Sequence, residues 1–236
     1  MPINRAGSLS QKKELDINKT SAPNKNEWLV PAALILLALV PVASGVFRVL
    51  ELGTGATITP ENQRFFAVPL PIIAHSLGGI VFLILGAFQF APRLRRQKPG
   101  WHKMAGRLLI PSGLVVALSG MWMAHFNALP QYDGVLVYAT RMLASGWMVL
   151  TVVPAIVAIY RRDFTNHGVW MTRFYAIGSG GNTQVFTAAP LFLFFPEYLN
   201  DLTRAISLGA GWVVNIFVAE WAIRRMVQVK QKRATA

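Results

Sequence analysis

Cysteine is absent from these 236 residues. That excludes disulfides, thiolate nucleophiles, iron–sulfur clusters and Cys-ligated zinc, and leaves the redox compartment unread from thiols. Acidic residues are scarce as well, 10 Asp and Glu against 23 Lys and Arg, with four histidines. The chain has no Gly-rich phosphate loop, no His-Glu-x-x-His zinc helix and no pair of carboxylates spaced for acid–base work. Hydrolase and nucleotide-hydrolysing chemistries therefore have no foothold. No reaction is specified by what remains, so enzymatic activity stays open.

Long apolar runs are what the chain has in quantity. It is 53% hydrophobic and only 14% charged. A bilayer core is about 30 Å thick and needs about 20 apolar residues as helix. Six stretches meet that length, 28–50, 66–91, 105–127, 134–160, 169–195 and 205–223. They predict an all-α, integral membrane bundle of six transmembrane helices over 28–223. A polar basic tail of residues 1–27 precedes it, too poor in apolar residues to order itself, and a basic tail of 224–236 follows. The first span follows far more polar sequence than a signal peptide carries, so it reads as an uncleaved anchor.

The formal charge of +13 is concentrated. Residues before Trp28, the turns 93–107 and 161–173, and residues from Arg224 onward hold 19 of the 23 Lys and Arg. The alternate loops carry only Arg48, Arg64 and Arg204, with Arg141 inside a span. Positive loops remain in the cytoplasm, which places both termini there, in the inner membrane of a bacterial cell. The same charge suits anionic lipid headgroups and argues against nucleic acid as a partner.

Both basic turns run double arginine, spacer, histidine, methionine, arginine: Arg95-Arg96…His102…Arg107 and Arg161-Arg162…His167…Arg173. This reads either as a weak internal repeat of two hairpins or as convergence on the basic turns common to membrane proteins. Gly106, Gly113 and Gly120 recur every seven residues with Ala117 and Ala124 on the same face, marking close helix packing. Gly78, Gly79 and Gly86 do the same on the second span. Pro111 and Pro154 lie inside spans, and Trp28, Trp101, Tyr132, Trp170 and Tyr198 near span ends read as an interfacial belt.

Ionisable groups at membrane depth are costly and point to function. His75 lies about 9 Å and Arg141 about 7 Å inside the outer boundary at 1.5 Å per residue. No carboxylate in the outer halves of the spans offers itself to Arg141. It either snorkels to headgroups or faces inward beside His75 to hold an anionic group, with Asn182, Thr183, Gln184 and Asn215 around the same cavity. The Gly178-Ser-Gly-Gly-Asn182 run predicts a break in the fifth span, tolerated only where backbone lines a cavity or is buried. His102 and His167 share a depth at the cytoplasmic starts of two helices, as bis-histidine haem ligation requires; the alternative is two interfacial residues beside headgroups. Glu220 stands one turn before Arg224, the favourable order for a helix ion pair.

These residues bring a resemblance into view. His75-x-x-Gly78, Gly86-Ala-Phe-Gln89-Phe90, Arg93, Arg95-Arg96, Trp101-His102…Gly106-Arg107 and Arg161-Arg162-Asp163-Phe164…His167…Trp170-Met171…Arg173 resemble a family of uncharacterised bacterial multi-pass membrane proteins, domain of unknown function 2306. The likeness runs over roughly residues 70–180. It departs at Gly168, where the family usually places a basic residue. The resemblance implies an inner-membrane protein with His75, His102 and His167 as motif histidines, and no established reaction. The layout is also similar to b-type cytochrome subunits and ferric-reductase-like domains. Three functions follow as expectations. The leading one is a redox protein binding haem b, with iron held by His102 and His167, or His75 with one of them, and Arg107 or Arg141 on the propionates. The second is a transporter or small-molecule binder using His75, Arg141, Asn182, Gln184 and Asn215. The third is a structural or assembly factor.

Overall fold

In the computed structural model, residues 25–234 are described, and every regular element among them is helical. The tail expected over 1–27 lies outside the described residues as far as residue 24. Nine helices follow a short 3-10 turn: α1 (Leu29–Gly53), α2 (Gln63–Ala67), α3 (Pro69–Gln89), α4 (Pro92–Gln97), α5 (Pro99–Phe126), α6 (Val135–Tyr160), α7 (Phe164–Gly178), α8 (Gly180–Phe194) and α9 (Asp201–Ala234).

Helices α1, α3, α5, α6 and α9 are each long and apolar enough to cross a membrane. Their outward surfaces carry large exposed apolar side chains, among them Leu36, Leu143, Leu150 and Phe217. In water such a surface would be an aggregation hazard; against lipid tails it is at home. Prolines at the first turns of α3, α4 and α5 start those helices where the missing N–H is not needed. Pro111 and Pro154 lie inside α5 and α6 without ending either.

The expected fifth span is two 15-residue helices, α7 and α8, meeting at Ser179 within the glycine-rich run. The basic stretch after Arg224 is not a separate tail, because α9 runs on through it to Ala234.

Helices α3 and α5 pack as one hairpin across the basic turn containing α4, and α6 and α7 as another. The bundle closes as a ring: α1 against α3, α3 against α5, α5 against α6, α6 against α7 and α9, α9 against α8, and α8 back onto α1. Turns 93–107 and 161–173 define its basic end. The start of α1 is fastened there by Arg96 to Glu27 at 2.6 Å and by Trp28, Phe88 and Trp101 edge to face. The start of α9 lies at the opposite end, where Arg204 binds Asp133 of the α5–α6 loop. Helices α7 and α8 together traverse the bundle between the two.

Small residues decide where helices meet. Gly86 faces the ring of Tyr175, Gly113 the rings of Phe174 and Phe82, and Gly178 the ring of Phe82. Phe82 stacks on Tyr175 with centroids 5.4 Å apart and meets Phe174 edge-on at 5.3 Å. Both phenylalanines are fully buried, and the Tyr175 hydroxyl donates to the Leu83 carbonyl at 2.9 Å. This aromatic cluster fills the middle of the bundle.

Candidate functional site

A cavity of about 370 Å³ occupies the bundle between the aromatic cluster and the end opposite the basic turns. At its mouth stand Arg64 and Phe65 of α2 and residues 127–130 of the α5–α6 loop. Its walls come from α3 (Ile72, His75), α5 (Val116, Ala117, Gly120), α6 (Arg141, Ser145, Met148) and the α7–α8 junction. From Asn127 to Val116 the α5 wall descends 11 residues, about 16 Å of helix. Met148 and Gly178 form the inner limit, and Phe82 packs directly behind Gly178.

Two guanidinium groups, Arg64 and Arg141, line this space, and no carboxylate does. Arg141 is nevertheless not without a counter-charge. Its Nη1 lies 2.7 Å from Asp133 Oδ2, while Arg204 binds Oδ1 of the same carboxylate, whose side chain is wholly buried. One acid thus serves two bases, and the missing neutralising group comes from a loop rather than a span. Arg141 keeps one face toward the cavity instead of reaching for headgroups.

Arg64 donates to the Ala128 carbonyl at 3.2 Å, and its Nε is buried with no partner. It shares the Phe65 ring with Arg48, the two guanidinium carbons 4.6 and 4.5 Å from the centroid. Burial pushes the Arg64 pKa down, Asp133 opposes that, and Arg141, Arg48 and Arg204 push it further down. An incoming anion would relieve this crowding of positive charge.

His75 turns Nδ1 to α5, 3.0 Å from the Val116 carbonyl and 3.1 Å from Ser119 Oγ. A carbonyl only accepts, so Nδ1 carries the proton and Nε2 is left as an acceptor with no partner among the described residues. Gln184 also lines the cavity, its amide donating to Leu208 O at 3.0 Å.

The other predicted residues lie elsewhere. Asn182 is buried outside the cavity lining. Asn215 accepts from Thr183 at 2.6 Å and donates to Ala176 O and Ser179 Oγ, fastening α9 to the broken helix. His102 and His167 sit near the basic end, far along their helices from His75 and Arg141. His167 Nδ1 donates to Ala155 O at 3.0 Å, which leaves its Nε2 free of that bond. Arg107 is exposed on α5. Glu220 pairs with Arg173 of α7, 2.6 Å from Nε and 3.0 Å from Nη2, rather than only along its own helix. Among the described residues no group of three or more His, Asp or Glu is gathered as for a metal ion.

The family model described as Predicted membrane protein (DUF2306) matches residues 72–223, more than half of the chain. The chain belongs to this family. No curated protein and no solved structure matches it. This DUF2306 protein is an integral, multi-pass membrane protein. The family match contains every named cavity residue except Arg64 and Phe65, which α2 supplies from before it.

Sequence reasoning missed Arg64, Asp133, Arg204 and Ser145 as parts of one site. The first three stand near span ends, where a charge costs little and attracts no notice. Their sparsity in otherwise uncharged loops was the available signal.

Proposed function

We propose that this DUF2306 protein is a carrier for small organic anions, in a conformation open to the outside. The observation that carries the reading is the cavity itself, lined by two arginines and no acid. Its volume lies toward the small end of the range for ligand sites, about 300–1,000 Å³, which suits a compact metabolite. The charge pattern of the turns supports both termini in the cytoplasm of a bacterial inner membrane, with α7 and α8 together as a sixth crossing. The basic end then faces anionic cytoplasmic headgroups and the cavity faces outward. The helix broken at Ser179 supports transport over static binding, since Gly178 and Gly181 beside the break line the cavity. Discontinuous helices at mid-membrane are a recurrent way to place helix ends beside an anionic substrate.

The test is a thermal-shift screen of the detergent-purified protein against carboxylates of one to two dozen atoms, followed by uptake into proteoliposomes. Stabilisation is expected from a subset of anions and is lost in Arg64→Gln and Arg141→Gln. No shift with any anion, or shifts indifferent to both substitutions, would sink the reading.

A second reading rests on His167. Donation from Nδ1 to a backbone carbonyl is how ligand histidines are commonly oriented, and this fits one axial ligand of haem b, with His102 as the other. Haem would supply one-electron chemistry at the basic end. Arg141 is remote from that site, which leaves Arg107 alone to meet a propionate. A visible spectrum with and without dithionite decides it: a Soret band lost in His167→Ala supports haem, and a colourless protein from haem-replete cells refutes it.

A further inference from the structure

The inner part of the cavity is built around a missing side chain. A methyl group placed on Gly120 would stand 3.5 Å from His75 Cε1, 3.7 Å from His75 Nδ1 and 3.7 Å from Ser145 Oγ. Gly120 therefore keeps open a recess with an imidazole on one side and a hydroxyl on the other. The tautomer of His75 makes Nε2 an acceptor, and the Ser145 hydroxyl has no hydrogen bond to a described residue. One acceptor and one donor flanking a single recess match a group that both donates and accepts, namely a hydroxyl.

Arg141 stands four residues before Ser145 on the same face of α6, about 6 Å higher at 1.5 Å per residue. The wall between the two levels is apolar, with Ala117, Ala144 and Ile177 among its residues. Resting on the carrier reading above, we infer that the ligand is a hydroxy acid with an apolar, ring-sized body. Its carboxylate lies between Arg64 and Arg141, and its hydroxyl in the Gly120 recess donates to His75 Nε2 and accepts from Ser145. A bare carboxylate satisfies only the mouth. A phenol without the acid satisfies only the recess. The deep site thus reads the far end of the molecule after the arginines have taken its charge.

Titration calorimetry on the full chain in detergent tests this with 4-hydroxybenzoate, benzoate and 4-hydroxybenzyl alcohol as probes. The hydroxy acid is expected to bind about tenfold tighter than benzoate, the gain of one to two net hydrogen bonds. That advantage should disappear in Ser145→Ala and in Gly120→Ala, whose new methyl meets only ordinary contacts and leaves the melting temperature as a folding control. If benzoate and 4-hydroxybenzoate bind alike and both need Arg64, the recess assignment is overturned and the carrier reading stands. If none of the three binds and a wider carboxylate screen is also blank, both fall together.

Discussion

The two ends of this bundle handle positive charge in opposite ways. At the basic end Arg107, Arg161 and Arg162 are exposed, and the nearest interior is closed by Phe82, Phe174 and Tyr175 packed onto glycines. At the other end arginines are fewer but drawn inward, around one buried carboxylate and beside an open cavity. Abundant arginine marks where the chain meets headgroups, whereas scarce arginine, half-buried and sharing a counter-ion, marks where it can meet a ligand. Number of charges tells orientation; their desolvation tells chemistry.

The largest break in this contrast comes from Asp133→Ala. Removing the shared carboxylate leaves Arg141 and Arg204 facing each other at a site without compensation, a loss of about 3–5 kcal/mol for a buried pair broken on one side. A steep fall in detergent melting temperature is expected, and an unchanged one would show that solvent already screens the cluster. Next is Gly86→Ala, which drives a methyl into the Tyr175 ring and should cost about 1–3 kcal/mol by overpacking. Gly53→Ala on α1 has open space around it and serves as the control.

Arg64→Gln sharpens the comparison differently. Burial and three neighbouring arginines disfavour its charged form, so losing the charge offsets losing its bond to Ala128. Stability should stay within about 1 kcal/mol of the parent, while anion binding disappears. The sign can be checked by titration too. A base whose pKa is lowered on folding holds fewer protons in the fold, so stability rises with pH through the alkaline range between its folded and unfolded values. Arg64→Gln should remove that rise. Smallest of all, Arg161→Gln at the basic end is expected to shift stability by no more than about 0.5 kcal/mol, as for exposed sites generally.

The helices were legible because apolar length and alternating loop charge are local properties of the chain. The break at Ser179 was legible too, since four small residues in five cannot hold a spanning helix as firmly as branched ones. His75 and Arg141 stood out because depth makes a polar group expensive. What depth could not say is where a side chain turns: Gln184 lines the cavity while Asn182 and Asn215 are spent on joining helices. Glu220 has a partner in sequence order, Arg224, yet in space it grips Arg173, 47 positions earlier. Asp133 escaped notice because a loop carboxylate acquires its meaning only when α9 folds back to set Arg204 against it.

The aromatic cluster beneath the cavity has a consequence for any passage through the bundle. It is not a single side chain that swings aside like a latch, because each ring sits in a notch left by a glycine on a neighbouring helix. Turning one ring within that packing gives it nowhere to go. A path through opens only when α3, α5 and α7 part together, which makes the barrier collective and keeps it tight to water and protons between openings.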